Sequence, residues 1–256
     1  EIATPQGLGE IMVLMQQGNM TLPVGLQDSL VQRMKRGDVF KQTGANKLDI
    51  ALHMIFRACI TKNKPLMDTA VQQAFQPIEF TNKEGLQYDN SYMQHGPQLM
   101  IASYGLVFLL GEYKIAYWLM GSSYAIPKEK LNLLTNYLLY TFLPAIRGSY
   151  IDFNTEGRGI SRATLLVKRK VVEDRNCRTF LEMTKAVVNE NQNLITDAID
   201  RISQKQPANY NISAKHNYFW KSDYTQHLRS AFTFNVRTVS DRTKRTETGN
   251  KENLLG

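Results

Sequence analysis

The stretch GANKLDIALHMIFRAC (residues 44–59) predicts a long amphipathic helix. Its apolar residues recur three and four positions apart, at Leu48, Ala51, Leu52, Ile55, Phe56 and Cys59. That spacing places them on one face of a helix, which must pack against other elements to leave water. Asn46, with Asp49 three residues later, has the pattern of a helix N-cap.

Similar helical patterns continue on both sides of this segment. They predict helices over residues 8–17, 24–35, 65–76, 98–120, 128–145, 161–172, 176–189 and 191–203. Short polar loops join them, as in successive helical hairpins. Near Gln204 the pattern changes, because Phe232, Phe234 and Val236 alternate with polar residues as in a strand. We therefore predict a mainly α domain over residues 1–203 and the start of a β domain over residues 204–256.

The composition favours an anionic partner. The 256 residues include 43% hydrophobic and 21% charged residues, enough to bury a core, and carry a net charge of +8. That charge suits an acidic polymer, nucleic acid or an anionic membrane, although it is spread along the chain. The longest apolar run, residues 99–110, is too short to cross a bilayer. Cys59 and Cys177 lack metal-ligand spacing and are interpreted as buried or idle thiols, and no metal site or nucleotide-binding motif is present.

The stretch YDNSYMQHGPQLMIASYG (residues 88–105) brings polar and aromatic groups to the start of an apolar run. Pro97 suits the first turn of a helix, so His95 is predicted at or just before a helix N-terminus and Tyr104 inside that helix. Small neighbours could leave the Tyr104 hydroxyl open to a groove. The alternative is that Tyr104 is a core tyrosine and His95 an ordinary loop residue, and spacing alone favours this alternative.

Two further stretches and Asn46 have open interpretations. Arg158 and Arg162, near a predicted helix start, could form an anion site or pair with acidic neighbours on a surface loop. The polar segment at residues 241–256 could be functional or a solvated loop between strands. The amide of Asn46 could cap its helix or bind a substrate carboxylate.

Six motifs, taken in order, resemble polysaccharide lyase family 8, which includes the chondroitin AC, hyaluronate and xanthan lyases. They span essentially the whole chain, and the HGPQL form is most similar to the chondroitin AC lyases. The motifs are EIATPQ, TGANKLD, YDNSYMQHGPQL with SYG, GRGISR, FWKSDYTQH and RTETGNKENLLG. The resemblance implies an α/α toroid of helical hairpins, here incomplete at its N-terminal side, followed by the first strands of an antiparallel β-sandwich.

The resemblance also implies an activity, namely cleavage of glycosaminoglycans such as chondroitin sulfate or hyaluronan by β-elimination. The implied catalytic residues are Asn46, His95, Tyr104, Arg158, Arg162 and Glu247. Gln94, Trp220 and Asn250 are expected to bind substrate. Asn46, with or without His95, would bind the uronate carboxylate, and either Tyr104 or His95 would remove the C5 proton. Arg158 or Arg162 nearby would favour the phenolate of Tyr104.

The resemblance sets further expectations. It requires no cofactor and leaves room for a structural calcium ion in a β region that this piece lacks. The expected partner is an acidic polysaccharide, and no nucleic acid or membrane is expected to bind. The protein is expected to be a monomer that is secreted or periplasmic. The alternatives are a non-catalytic module for anionic glycans and a glycoside hydrolase, which needs two carboxylates. The candidate carboxylate pairs are Asp89 with Asp152 and Glu84 with Glu156.

Overall fold

The computed structural model describes residues 2–157, 159 and 177–244. Its helices alternate with short loops, and a three-stranded antiparallel sheet follows them. The helices are α1 (Ala3–Gln17), α2 (Val24–Met34), α3 (Gly44–Thr61), α4 (Lys64–Phe75), α5 (Tyr104–Trp118), α6 (Lys128–Tyr137), α7 (Cys177–Val187) and α8 (Gln192–Ile202). The predicted helix over residues 161–172 lies outside the described residues. The chain divides into two compact units, residues 1–77 and 78–256.

Helix α3 is the centre of the first unit. Nearly every residue from Ala45 to Ile60 is buried, so the helix is surrounded by its neighbours rather than packed along one face. Helix α1 approaches it closely, since a Cβ placed on Gly9 would lie 2.6 Å from the ring of Phe56. Helices α3 and α4 form the predicted hairpin, whose turn combines left-handed Lys62 with Asn63, an N-cap that accepts from the backbone N–H of Leu66 at 3.0 Å.

Two predictions about α3 are wrong. The N-cap is Thr43, in extended conformation, so Asn46 lies in the first turn of the helix instead of capping it. Cys59 is exposed, although its spacing from Ile55 and Phe56 assigned it to the apolar face. The apolar face predicted from the sequence runs straight along one side of the helix. In the structure, the last turn of α3 buries Ile60 and leaves Cys59 exposed to solvent.

The second unit contains the remaining helices. Helix α5 begins at Tyr104 and not at residue 98, because residues 93–99 pair with each other in a tight hairpin instead of entering the helix. Helix α5 packs against α7, where the rings of Tyr113 and Phe180 lie 5.9 Å apart. After α6 the chain continues through a π-helical turn (Leu138–Phe142) and a 3₁₀ turn (Leu143–Ala145) that contains Pro144.

The sheet consists of β5 (Lys215–Phe219), β6 (Tyr224–Leu228) and β7 (Thr233–Arg237), in that order and antiparallel. Burial alternates along β5 and β6, as expected for strands with one covered face. The covered face meets the π-helical turn, where the amide of Asn217 donates to the carbonyl of Tyr140 at 3.0 Å. Shorter two-residue strands form two hairpins, β1 (Gly85–Leu86) with β2 (Tyr92–Met93) and β3 (Ile146–Arg147) with β4 (Tyr150–Ile151).

Candidate active site

His95 lies at the tip of the tight hairpin over residues 93–99. Met93 bridges Leu99, and the backbone N–H of Gln94 donates to the carbonyl of Gln98 at 3.2 Å. To reverse direction at the tip, the chain adopts positive φ at two successive residues, +61° at His95 and +86° at Gly96. Glycine accepts this conformation readily, whereas histidine does so at a cost. Residues with this kind of strain cluster at functional sites.

The ring of His95 lies against that of Tyr104. Their centroids are 4.6 Å apart and the ring planes are tilted by 58°. Tyr104 is the first residue of α5 and is half-buried, unlike its fully buried neighbours Leu106 and Phe108. Tyr104 lies in the helix, as predicted, but in its first turn, because the helix starts there and not at residue 98. The interpretation of Tyr104 as a core residue is disfavoured, because the residue is only half-buried.

Glycine at position 105 fixes where α5 begins. A Cβ there would overlap the hydroxyl of Tyr137 and lie 3.0 Å from the carbonyl oxygen of Met100. The backbone N–H of Gly105 donates to that same carbonyl at 2.8 Å. The close approach holds the first turn of α5, and with it Tyr104, against α6.

The segment that precedes Arg158 lies next to the residues just before α5. The backbone N–H of Ala102 donates to the carbonyl of Thr155 at 3.0 Å. Gly157 adopts a φ of +56°, and a Cβ placed on it would meet the sulfur of Met100 and lie 3.7 Å from Oγ of Ser103. The described part of this loop therefore ends beside the start of α5. The predicted site residues Arg158, Arg162, Glu247 and Asn250 lie outside the described residues.

Asn46 belongs to the first unit, residues 1–77. Its neighbours are engaged in the packing of that unit: Nζ of Lys47 donates to the amide oxygens of Gln73 and Gln76 at 2.9 and 2.7 Å. The side chain of Asn46 is partly exposed, and within the described residues it makes no hydrogen bond. Its amide is thus available to a ligand.

The two predicted binding residues of the second unit differ in exposure. Trp220 lies in the turn between β5 and β6 with 47% of its surface exposed, and Nζ of Lys221 lies 5.2 Å from its ring centroid. Gln94 is fully buried, and its Oε1 accepts from the hydroxyl of Tyr92 at 3.2 Å. The Nε2 of Gln94 has no partner within the described ranges. A role for Gln94 in substrate binding stays a prediction.

The carboxylates that a hydrolase would use have other contacts. Asp89 is buried and accepts from the backbone N–H of Ser91 at 2.9 Å and from that of Lys221, which joins the loop before His95 to the β5–β6 turn. Asp152 caps a 3₁₀ turn and accepts from the hydroxyl of Tyr224. Both groups therefore hold loops together.

Two charged residues at the His95 tip were not predicted as part of the site. The backbone N–H of Gly96 donates to Oε1 of Glu84 at 2.9 Å, and Nζ of Lys244 donates to the carbonyl oxygen of His95 at 3.3 Å. From the sequence, Lys244 belongs to the polar segment at residues 241–256, whose role was left open, and Glu84 was considered only as a hydrolase acid. No local pattern marks either residue, because each contact joins segments that are distant along the chain.

In residues 2–157, 159 and 177–244, no three His, Cys, Asp or Glu side chains are grouped closely enough to hold a metal ion. None of the helices in that part of the chain combines the length and apolar character needed to cross a bilayer.

Comparison with known proteins gives matches along almost the whole chain. Residues 1–202 match the N-terminal α-helical domain of polysaccharide lyase family 8, and residues 214–256 match its super-sandwich domain. Chondroitinase-AC of Pedobacter heparinus is 49% identical over 257 aligned positions, which cover 100% of this chain and 36% of that protein. The chain thus spans about a third of the length of this relative.

Solved structures give the same result for the fold. A chondroitinase AC lyase determined with oligosaccharides has a TM-score of 0.92 and 47% identity, over 98% of this chain and 36% of that one. A Paenibacillus xanthan lyase has a TM-score of 0.74 at 19% identity, covering 97% of this chain and 26% of its own. The Streptomyces coelicolor chondroitin AC lyase, in complex with chondroitin sulphate, has a TM-score of 0.76 at 18% identity, over 98% of this chain and 39% of its own. This likeness confirms the predicted fold class, an incomplete α/α toroid of helical hairpins followed by the first strands of a β-sandwich.

Proposed function

Because the chain belongs to polysaccharide lyase family 8, we propose that it is part of an enzyme that cleaves uronic-acid-containing glycosaminoglycans by β-elimination. The observation that carries this proposal is the contact between the rings of His95 and Tyr104, 4.6 Å apart, where a strained hairpin tip meets the start of a helix. The substrate class is taken from the relative named for chondroitin and from the net charge of +8, which suits a polyanion.

The proposed chemistry begins with the substrate. The C5 proton of a uronate is weakly acidic, because its removal places negative charge next to a carboxylate. A site that hydrogen-bonds that carboxylate stabilises the charge as it develops. The family motif assigns this task to Asn46, and the availability of its amide supports the assignment.

Tyr104 is proposed as the base that removes the C5 proton, with His95 beside it. The C4–O bond then breaks, the glycosidic oxygen takes a proton, and a C4–C5 double bond remains on the uronate. Tyr104 can supply that proton, since it has just accepted one. Its partial exposure and its place as the first residue of α5 support this role, since a helix N-terminus favours approaching anions. The motifs imply further catalytic roles, which we keep as proposals for Arg158, Arg162 and Glu247. They also imply substrate-binding roles, which we keep for Asn250, Gln94 and Trp220.

A glycoside hydrolase is the second class of enzyme to consider. It needs two carboxylates that flank the scissile bond. Asp89 and Asp152 are engaged in holding loops, and Glu156 is buried. These contacts favour elimination over hydrolysis.

The remaining proposals rest on the family alone. We expect a secreted or periplasmic enzyme that acts as a monomer and uses no cofactor, since side chains supply every proton transfer in the scheme. We also keep residues 1–203 as the catalytic helical domain and residues 204–256 as the start of the sandwich.

Reaction in oxygen-18 water separates the alternatives. Chondroitin sulfate and hyaluronan are incubated with the chain, and the product masses are measured. Elimination adds no water, so the products are unlabelled and one of them carries a double bond, whereas hydrolysis places the label at each new reducing end. Labelled products would contradict the proposal. Binding of both polymers without any product would leave a glycan-binding module as the function of this piece.

A further inference from the structure

We propose that Lys244 and Glu84 are positioning residues that hold His95 in its left-handed conformation against Tyr104. The inference rests on the proposed function, and it adds two residues to the site that no family motif assigned. Their contacts converge on residues 94–97, here called the His95 turn.

The His95 turn needs external support. Successive positive φ values at His95 and Gly96 leave a non-glycine residue in a conformation that its Cβ disfavours. Just after the turn, the backbone N–H of Gln98 donates to the carbonyl of Gly96 at 2.8 Å. Such conformations persist only where the surroundings fix them.

Glu84 supports the turn as a hydrogen-bond acceptor, and Lys244 supports it as a donor. Glu84 accepts the backbone N–H of Gly96 at 2.9 Å. Lys244 donates twice, from its backbone N–H to the carbonyl of Pro97 at 2.9 Å and from Nζ to the carbonyl of His95 at 3.3 Å. One donor and one acceptor in the His95 turn are therefore bonded to charged side chains, and such bonds are stronger than neutral ones.

Lys244 also packs against Gly96, whose φ of +86° itself favours glycine. A Cβ there would lie 2.9 Å from Nζ and 3.2 Å from Cε of Lys244. The end of the lysine side chain thus lies directly over the His95 turn, so a side chain at position 96 would have to displace it.

Lys244 is delivered to the turn by a fixed loop. The buried carboxylate of Asp223 accepts from the hydroxyls of Ser240 and Thr243 and pairs with the guanidinium of Arg242. Nη2 of Arg237, the last residue of β7, donates to the carbonyl of Lys244 at 3.2 Å. The region that matches the super-sandwich domain therefore positions a catalytic histidine of the helical domain.

Histidine NMR tests this proposal without requiring turnover. The chain has four histidines, so a sample labelled at histidine gives few ring signals, and that of His95 is identified with a His95→Gln variant. In Lys244→Met the backbone bond to Pro97 remains and only the Nζ contact is lost. We expect the His95 ring signal to move away from its wild-type position while the signals of His53, His216 and His227 stay. Lys244→Arg, which can still donate to the His95 carbonyl, should restore it, and Lys205→Met is the matched control on an exposed lysine.

Glu84 provides a second, independent pair of variants. Glu84→Gln keeps an oxygen that accepts the N–H of Gly96 and should resemble the wild type, whereas Glu84→Ala should move the His95 signal. Glu129→Gln and Glu129→Ala serve as matched controls. An unmoved His95 signal in both Lys244→Met and Glu84→Ala would overturn the proposal and leave the proposed lyase function standing.

Kinetics distinguish positioning from direct binding of substrate. Misplacement of a reacting group by about 1 Å can cost on the order of 100-fold in rate, so Lys244→Met should lower kcat by about 10- to 100-fold with KM nearly unchanged. A raised KM with unchanged kcat would mean that Lys244 binds the substrate anion instead, and would overturn the positioning role. If the wild type shows no elimination, the proposed function fails, and the NMR result still decides whether Lys244 and Glu84 hold the His95 turn.

Discussion

Gly105 of α5 packs directly against the hydroxyl of Tyr137 on α6, with no room for a side chain between them. The residue that precedes this contact is Tyr104, so the fit between the two helices fixes the start of the helix that carries the proposed base. The Tyr137 hydroxyl is buried and has no hydrogen-bond partner among the described residues, and burial raises the pKa of Tyr137 well above its usual value.

Gly105→Ala is therefore expected to destabilise the fold and reduce activity together. Overpacking a tight contact costs about 1–3 kcal/mol, and the displaced first turn would carry Tyr104 with it. Tyr137→Phe removes the oxygen that a Cβ would overlap, so the double variant should recover part of the loss. Urea unfolding of the four proteins gives the coupling energy. Strict additivity of the two changes would contradict the contact.

Local sequence patterns are enough to predict some of the helices but not where each one begins. The helical patterns at residues 44–59 and 65–76 predict helices α3 and α4 and the hairpin that they form. The start of α5 does not follow, because residues 98 and 99 pair back across the hairpin tip to residues 94 and 93, which apolar periodicity cannot reveal. Thr43 takes the N-cap position although Asn46 has the better capping side chain, since the carbonyl of Thr43 already accepts the backbone N–H of Lys47 at 3.3 Å.

The residues of the candidate site also fall into two groups, those that the sequence indicates and those that only the folded chain brings together. His95 and Tyr104 were found through a family motif, and their contact is a matter of short-range geometry at the start of one helix. Lys244 was not found, because its position beside His95 depends on how the loop after β7 folds onto the helical domain. Contacts between distant segments need the folded chain.

A buried histidine makes the first unit sensitive to acid. His53 is 1% exposed, and burial, with the positive charge of Arg57, lowers its pKa from 6.5 to about 4. Between these values the unfolded chain binds a proton that the folded chain does not, so stability is fully present above pH 6.5 and is lost as the pH falls towards 4. At about 1.4 kcal/mol for each pKa unit, the loss is on the order of 3 kcal/mol.

Thermal unfolding across this pH range checks the assignment. His53→Gln should flatten the dependence of Tm on pH between 6.5 and 4, whereas His216→Gln, at an exposed histidine, should leave it as in the wild type. An unchanged slope in His53→Gln would show that other groups cause the acid sensitivity.

A buried glutamate in α5 should act in the opposite direction. Glu112 is fully buried, neither of its carboxylate oxygens has a hydrogen-bond partner among the described residues, and burial raises its pKa well above the usual value despite attraction from Lys130. The folded chain keeps a proton that the unfolded chain releases, so this group makes stability fall as the pH rises above about 4.5.

Glu112→Gln is accordingly expected to raise Tm at neutral pH, by about 2–4 °C for each kcal/mol recovered, and the gain should shrink as the pH approaches 4.5. Calorimetry at several pH values measures it, with the exposed Glu129→Gln as control. A variant less stable than the wild type at neutral pH would mean that ionised Glu112 has a stabilising partner.

The central claim is that Tyr104 takes part in a β-elimination. The most direct test is the mid-ultraviolet absorbance of chondroitin sulfate during incubation with the chain, since the C4–C5 double bond absorbs there and the substrate does not. Tyr117→Phe, at the exposed far end of the same helix, is the matched control. Absorbance is expected to rise with the wild type and with Tyr117→Phe, whereas Tyr104→Phe should lower the rate at least about 100-fold. A Tyr104→Phe variant that produces unsaturated ends at the wild-type rate would contradict the central claim.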